Sequence, residues 1–279
     1  MCDICKNTCL KNFPSFRARD GLEIKLATEE RAQAEQAFKA RGAEAEQAFQ
    51  KRGAEGLRAF VKKKLNEWKT TPVNIAVVGQ SGAGKSSFIN TIRCIEDAMD
   101  PSFAKVGVKQ CTMEKMSFEF PDNPLIKLWD LPGAGTSDFK AAEYAEQMEF
   151  STYDAFVILS CDRFTEIDKM VADEVQKIKK PFFFARTKLD HVMKDQRRTL
   201  KEQFNASSTS NEIREDCRKQ LGHGETRKIF LIANVSQSEL EEDFPEEKFP
   251  GIQFDNMDLK VEITQSLPEI QKTALGKKP

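Results

Sequence analysis

An excess of charge of either sign is missing from this sequence. Lys and Arg number 43 against 44 Asp and Glu, a net charge of −1. The chain therefore lacks the broad positive field that non-specific nucleic-acid binding needs, and no nucleic acid is expected among its partners. Long apolar runs are missing too. The start Met1-Cys2-Asp3-Ile4-Cys5-Lys6 has no continuous apolar core of a secretory signal, and no uninterrupted stretch elsewhere is long enough to span a bilayer. Residue 2 is Cys rather than Gly, which excludes N-myristoylation, and Gly276-Lys277-Lys278-Pro279 is no prenylation box. The 7 cysteines would leave one unpaired, and Cys94, Cys111, Cys161 and Cys217 lie in ordinary core or loop patterns, so reduced thiols in a cytoplasmic protein are expected. Cys2, Cys5 and Cys9 lack a fourth ligand nearby, with His191 and His223 distant in sequence, which argues against zinc. That cluster reads as idle thiols in a flexible tail or as an S-acylation site for peripheral membrane contact.

What is present begins with a helix-favouring segment. From about Thr28 to Trp68 the chain is rich in Ala, Glu, Gln, Lys and Arg and has no proline. Ala34–Glu44 and Ala45–Glu55 repeat each other, and Phe38, Phe49 and Phe60 recur at a spacing that makes about three helical turns, forming a narrow apolar stripe. Gly42, Gly53 and Gly56 weaken a continuous helix, so a kink or two shorter helices fit as well as one rod. The stripe packs on its own domain or docks on another chain or on lipid.

From Val73 the pattern changes to short apolar runs alternating with helix-period segments. Strands are expected at Val73–Val78, Lys115–Phe120, Leu125–Trp129, Ala155–Ser160, Phe182–Arg186 and Lys228–Ala233. Helices are expected at Lys85–Ile95, Ala141–Phe150, Glu166–Lys179, Lys194–Gln203, Glu212–Leu221 and Asp258–Leu267. The fold class is α/β, with a mostly parallel sheet covered on both faces and ligands held at the strands' carboxyl ends. The expected division is a tail over 1–27, a helical region over 28–70, a nucleotide-binding domain over 71–268 and a tail over 269–279.

Three motifs carry chemistry. Gly79-Gln80-Ser81-Gly82-Ala83-Gly84-Lys85-Ser86 stands between an expected strand and an expected helix, as a phosphate loop requires. Its backbone and that of Ser87 would cradle phosphate oxygens, with Lys85 on the β- and γ-phosphates and Ser86 on Mg²⁺. Leu128-Trp129-Asp130-Leu131-Pro132-Gly133 ends a strand with an acid suited to the Mg²⁺ shell and a Gly133 N–H suited to the γ-phosphate. Arg186-Thr187-Lys188-Leu189-Asp190 selects the base. The Asp190 carboxylate can accept from both the ring N1–H and the exocyclic amine of guanine, a donor pair adenine lacks, while Lys188 lies along the base plane. Asn234, after the last strand, stands where a further guanine contact is expected. Thr112 is expected to complete the Mg²⁺ coordination and to sense the γ-phosphate, ordering the segment 104–113.

The hydrolytic residue is less obvious. The position after Gly133, where Gln orients the attacking water in Ras-type proteins, is Ala134. Gln110, near Thr112, is the polar residue able to take that task. An arginine finger could come from Arg163 or Arg186 if two domains met face to face, which would make hydrolysis slow and dependent on homo-dimer or homo-oligomer formation in the GTP state. The other reading is a GTP-dependent binding or scaffold module without turnover.

With Gly79–Asn90, Cys111-Thr112-Met113-Glu114, Trp129-Asp130-Leu131-Pro132-Gly133 and Arg186-Thr187-Lys188-Leu189-Asp190 in place, the chain resembles the immunity-related GTPases, the interferon-inducible family that acts on pathogen-containing vacuoles. The resemblance runs from about Phe60 to Leu267, and Lys85 places it with the "GKS" subgroup. It implies a GTPase domain of P-loop type, Ras-like or dynamin-like, in which Lys85, Ser86, Thr112, Asp130, Lys188 and Asp190 serve nucleotide and Mg²⁺. At the position of Gln110 that family often carries an acidic residue implicated in hydrolysis. The resemblance further implies assembly with itself or related GTPases on intracellular membranes such as ER, Golgi or a pathogen-containing vacuole. Relatives continue into a C-terminal helical domain, whereas this sequence ends at Pro279 and is either naturally short or a fragment.

Overall fold

A computed structural model of the chain describes residues 68–106, 114–120, 123–135, 140–161, 163–222 and 227–276, together with Glu46, Gln47, Gln50, Lys51, Arg52, Glu55 and Ala59. Residues up to Glu67 and those from Trp68 onward form two units. In the first, the seven named residues are helical and exposed. The Phe38, Phe49 and Phe60 stripe and the cysteines at 2, 5 and 9 lie outside the described residues.

The second unit is built on strands β1 (Val73–Gly79), β2 (Met116–Phe120), β3 (Asn123–Asp130), β4 (Ala155–Ser160), β5 (Phe182–Arg186) and β6 (Ile229–Leu231), in the order β2-β3-β1-β4-β5-β6. All neighbours run parallel except β2 and β3. These two follow each other so closely that only an antiparallel hairpin can join them, since a parallel pair needs a long crossover. Every described side chain of β4 and β5 is buried, the continuous apolar pattern of strands covered on both faces. One core layer gathers Phe156, Ile158, Val171, Phe184 and Met193, the other Ile75, Val77, Ile89, Leu128, Phe230 and Ile263.

Helices α1 (Lys85–Ile92), α2 (Ala141–Gln147), α3 (Glu166–Lys177), α4 (Leu189–Leu200), α5 (Ala206–Leu221), α6 (Gln237–Asp243) and α7 (Asn256–Gly276) cover the sheet. The chain leaves β1 toward β3 on one side and returns to β4 on the other, so the end of β1 faces the crevice where the strand order reverses.

Helix α7 departs most from expectation. Residues 269–276, from the stretch expected as a tail, form its last two turns. Pro268 removes one backbone hydrogen bond and costs about 3 kcal/mol in a helix interior. Leu267, Ile270 and Ala274 are nevertheless buried on the face already occupied by Leu259 and Ile263, and each large aliphatic side chain so covered contributes about 1.5–3 kcal/mol. Gln271, also buried, donates through Nε2 to Thr71 O at 3.1 Å, fastening this half of the helix to the entry of β1. Packing outweighs the proline.

Candidate functional site

The loop Gly79–Gly84 leaves a strand buried at every position but Asn74 and enters α1 without a capping side chain. Gly84 occupies the N-cap position with φ 83°, a left-handed conformation that favours glycine. The first N–H groups of a helix have no intrahelical acceptor, and an uncapped N-terminus offers them, with the positive end of the helix dipole, to an anion. Lys85 lies over this loop, 6% exposed, its Nζ donating to Gly79 O at 3.2 Å and Gln80 O at 2.9 Å. Burial pushes its pKa down to about 8, opposed by the nearby Asp130 and Cys161. The site holds a cation whose charge is only partly compensated.

Ser86, in the first turn of α1, donates through Oγ to Asp130 Oδ2 at 2.5 Å. Asp130 ends β3 beside β1, in register with Val77, and is buried. The sheet thereby joins two oxygen donors that are far apart in sequence, at the lip of the loop.

Beyond Asp130 the chain lies against the phosphate loop. Ala134 N–H donates to Gly79 O at 3.0 Å, and Ser81 N–H donates to Ala134 O at 3.3 Å. A Cβ on Gly133 would sit 2.6 Å from Ser81 N and Cα, so glycine alone permits this approach. The Ala134 side chain is buried and brings no polar group to the site.

The segment expected to select the base follows β5. Lys188, with φ 59°, forms the N-cap of α4, and Asp190 stands in the first turn, 8% exposed, with His191 Nε2 3.4 Å from its Oδ2. Thr187 and Asn234, expected at guanine, make contacts within the protein. Thr187 is fully buried, its Oγ1 2.9 Å from Ala83 O and 3.2 Å from Ser160 O. Asn234 donates through Nδ2 to Gly84 O at 3.1 Å. Both side chains reach the phosphate loop. A cavity of about 650 Å³ opens beside Asn234, lined also by Ser87, Thr91 and Ile95 of the α1 side, Val235 and Met257.

The structure thus brings Gly79–Ser87, Asp130, Gly133, Thr187, Lys188, Asp190 and Asn234 to one end of the sheet. Gln110 and Thr112 lie outside the described residues. Arg163 is exposed, whereas Arg186 is 4% exposed at the end of β5 and cannot be delivered across an interface as a finger. A neighbouring network is new: Gln80 Nε2 donates to Thr165 Oγ1, and Asp168 Oδ2 accepts from Ser160 Oγ, Thr165 Oγ1 and Thr165 N–H at 2.9, 3.0 and 3.0 Å. Burial raises the Asp168 pKa against those bonds. Its signal in the sequence is Thr165-x-x-Asp168, a capping box at the start of α3.

Residues 43–278 match the family model described as Interferon-inducible GTPase (IIGP). Interferon-gamma-inducible GTPase 10 of Mus musculus is 36% identical over 183 residues, 65% of this chain and 43% of that protein. Interferon-inducible GTPase 1 of Mus musculus is 37% identical over 173 residues, 61% of this chain and 41% of that protein. The matched part spans less than half the length of these relatives. Among solved structures, the LeoA bacterial dynamin GTPase from ETEC superposes with a TM-score of 0.50 at 16% identity, covering 90% of this chain and 46% of that one, a likeness of fold.

Proposed function

The chain belongs to the interferon-inducible GTPase family, and from that premise we propose that it binds GTP and GDP with Mg²⁺ and hydrolyses GTP to GDP and phosphate. The observation that carries this reading is the meeting of Lys85, the Ser86–Asp130 pair and the uncapped start of α1 at one strand end. Lys85 is placed to draw the terminal phosphates onto the loop, and Asp190 to accept from the guanine edge. Ser86 Oγ and the Asp130 carboxylate are hard oxygen donors at mutual reach, a set that fits Mg²⁺, with Ser86 as ligand and Asp130 holding its water shell. When bound, Mg²⁺ supplies neutralisation of charge at the β- and γ-phosphate oxygens.

Ala134 offers no group to orient water, so turnover in this reading rests on Gln110 or on a second molecule contributing groups, Arg163 among them. Hydrolysis is then slow, stimulated by homo-oligomer formation in the GTP state or by assembly with related GTPases. The wider role is cell-autonomous innate immunity in the cytoplasm and peripherally on intracellular membranes. Among the described residues no helix is long and apolar enough to cross a membrane.

The test is multiple-turnover phosphate release measured with light scattering over a range of protein concentrations, with Lys85→Ala as control. Specific activity should rise with concentration, together with scattering. A flat trace while fluorescent GDP still binds would replace the enzyme by a nucleotide-dependent binding module, the reading that the buried Ala134 favours. Absence of GDP binding would remove both.

A further inference from the structure

The geometry points to Asn234 as a positioning residue for phosphate binding: from the loop after β6 its Nδ2 orients a phosphate-loop peptide. This inference rests on the guanine-nucleotide reading above.

The argument starts from the peptide bond. A peptide unit is planar and trans, so its C=O and N–H point in opposite directions, and fixing one aims the other. Gly84 O shares its plane with Lys85 N–H, and Ala83 O shares its plane with Gly84 N–H. Gly84 O accepts two hydrogen bonds, one from Phe88 N–H at 2.8 Å, the first of α1, and one from Asn234 Nδ2 at 3.1 Å. The second fixes the tilt of the plane that the helix bond alone leaves adjustable. Thr187 Oγ1, 2.9 Å from Ala83 O, holds the preceding plane from the loop after β5. Two consecutive peptides are thus held from two loops, and their N–H groups, the start of the uncapped helix, are directed away from those loops toward the anion position.

Asn234 is itself held firmly. Ala233 N–H donates to Asn256 Oδ1 at 3.1 Å, and Asn256 Nδ2 donates back to Ala233 O at 2.6 Å. The first residue of α7 therefore clamps the backbone just before Asn234, and the side chain reaches the loop from a fixed root. The approach also requires glycine on the other side, since a Cβ on Gly84 would lie 2.7 Å from Asn234 Nδ2.

A base contact and a phosphate-loop strut differ in which ligands they affect. Fluorescent GDP bound to the full chain would be displaced in parallel by GDP and by guanosine, which has the base and no phosphate. Asn234→Ala should weaken GDP about fivefold to tenfold, the worth of one net hydrogen bond, and leave guanosine within about twofold. Asn234→Asp, which sets an acceptor against Gly84 O, should weaken GDP further. Thermal melting without nucleotide checks folding, and Asn234→Ser serves if the Ala variant does not fold. Equal losses for GDP and guanosine would overturn the inference in favour of a base contact or a general defect, and unchanged GDP affinity would show the strut to be idle. If the unaltered chain does not bind GDP, the nucleotide reading itself fails and this inference with it; that outcome is distinct from binding that survives the substitutions.

Discussion

Strands β1 and β4 lie side by side and parallel, and each hands the chain to a helix at the same end of the sheet, yet the two helices begin in opposite ways. Helix α3 starts at Thr165 with a complete capping box, its side chain accepting from Asp168 N–H and the Asp168 carboxylate accepting from Thr165 N–H. Helix α1 starts at Gly84 with no side-chain cap. The start of α3 satisfies its own donors and meets the phosphate loop through Gln80. The start of α1 lacks such a cap, and the carbonyls of Ala83 and Gly84 are held from outside by Thr187 and Asn234. Lys85, pressed to a pKa of about 8 by burial, marks the same difference in charge.

Substitutions at the two starts should separate ligand binding from stability. The largest effect is expected from Lys85→Ala, which should weaken GDP about 100-fold, the worth of a charged hydrogen-bond donor facing phosphate, as read by titration with fluorescent GDP. Gly84→Ala forces a side chain into a left-handed conformation against Asn234 and should weaken GDP about tenfold while lowering stability by about 1–2 kcal/mol. A loss of stability with GDP affinity intact would deny the start of α1 its role as the anion site.

The pH dependence sharpens the comparison further. Lys85 sits below the ordinary lysine value of 10.5 in the folded, nucleotide-free chain, so between about pH 8 and that value the unfolded chain holds more protons and stability rises with pH. Phosphate restores the charge on Lys85, so binding above about pH 8 takes up a proton. GDP affinity should fall about fivefold from pH 8 to pH 9, and calorimetry in buffers of different ionisation enthalpy should show that uptake, absent in Lys85→Ala. The smallest effect is at the other helix. Thr165→Ala should cost about 1 kcal/mol of stability, lowering Tm by about 2–4 °C, and leave GDP affinity within about twofold.

Legibility in the sequence followed burial. Strands β4 and β5 were readable to the residue because continuous apolar runs end abruptly in polar ones, and β1 and β3 fell within two residues of expectation. Helix α4 begins at Leu189, earlier than the expected Lys194, because Leu189, Asp190 and Met193 are buried, so the base-recognition motif is itself the first turn. Helix α5 likewise begins at Ala206, where Asn205 caps Ser208 N–H. Helix α6 was missed although Ser236-x-x-Glu239 announces it as a capping box; its short apolar content hid the periodicity.

By itself the sequence determined the α/β class and the family motifs around Lys85, Asp130 and Asp190, because each is a local pattern whose spacing can be read without the fold. Tertiary structure alone decided what the short polar residues touch. Thr187 and Asn234 read as base contacts in sequence, since a polar residue after a strand carries no direction, and the sheet turns both onto the carbonyls of Ala83 and Gly84. It also decided that α7 continues past Pro268, because the proline's cost is local whereas the apolar face that outweighs it exists only once the sheet is there to receive it.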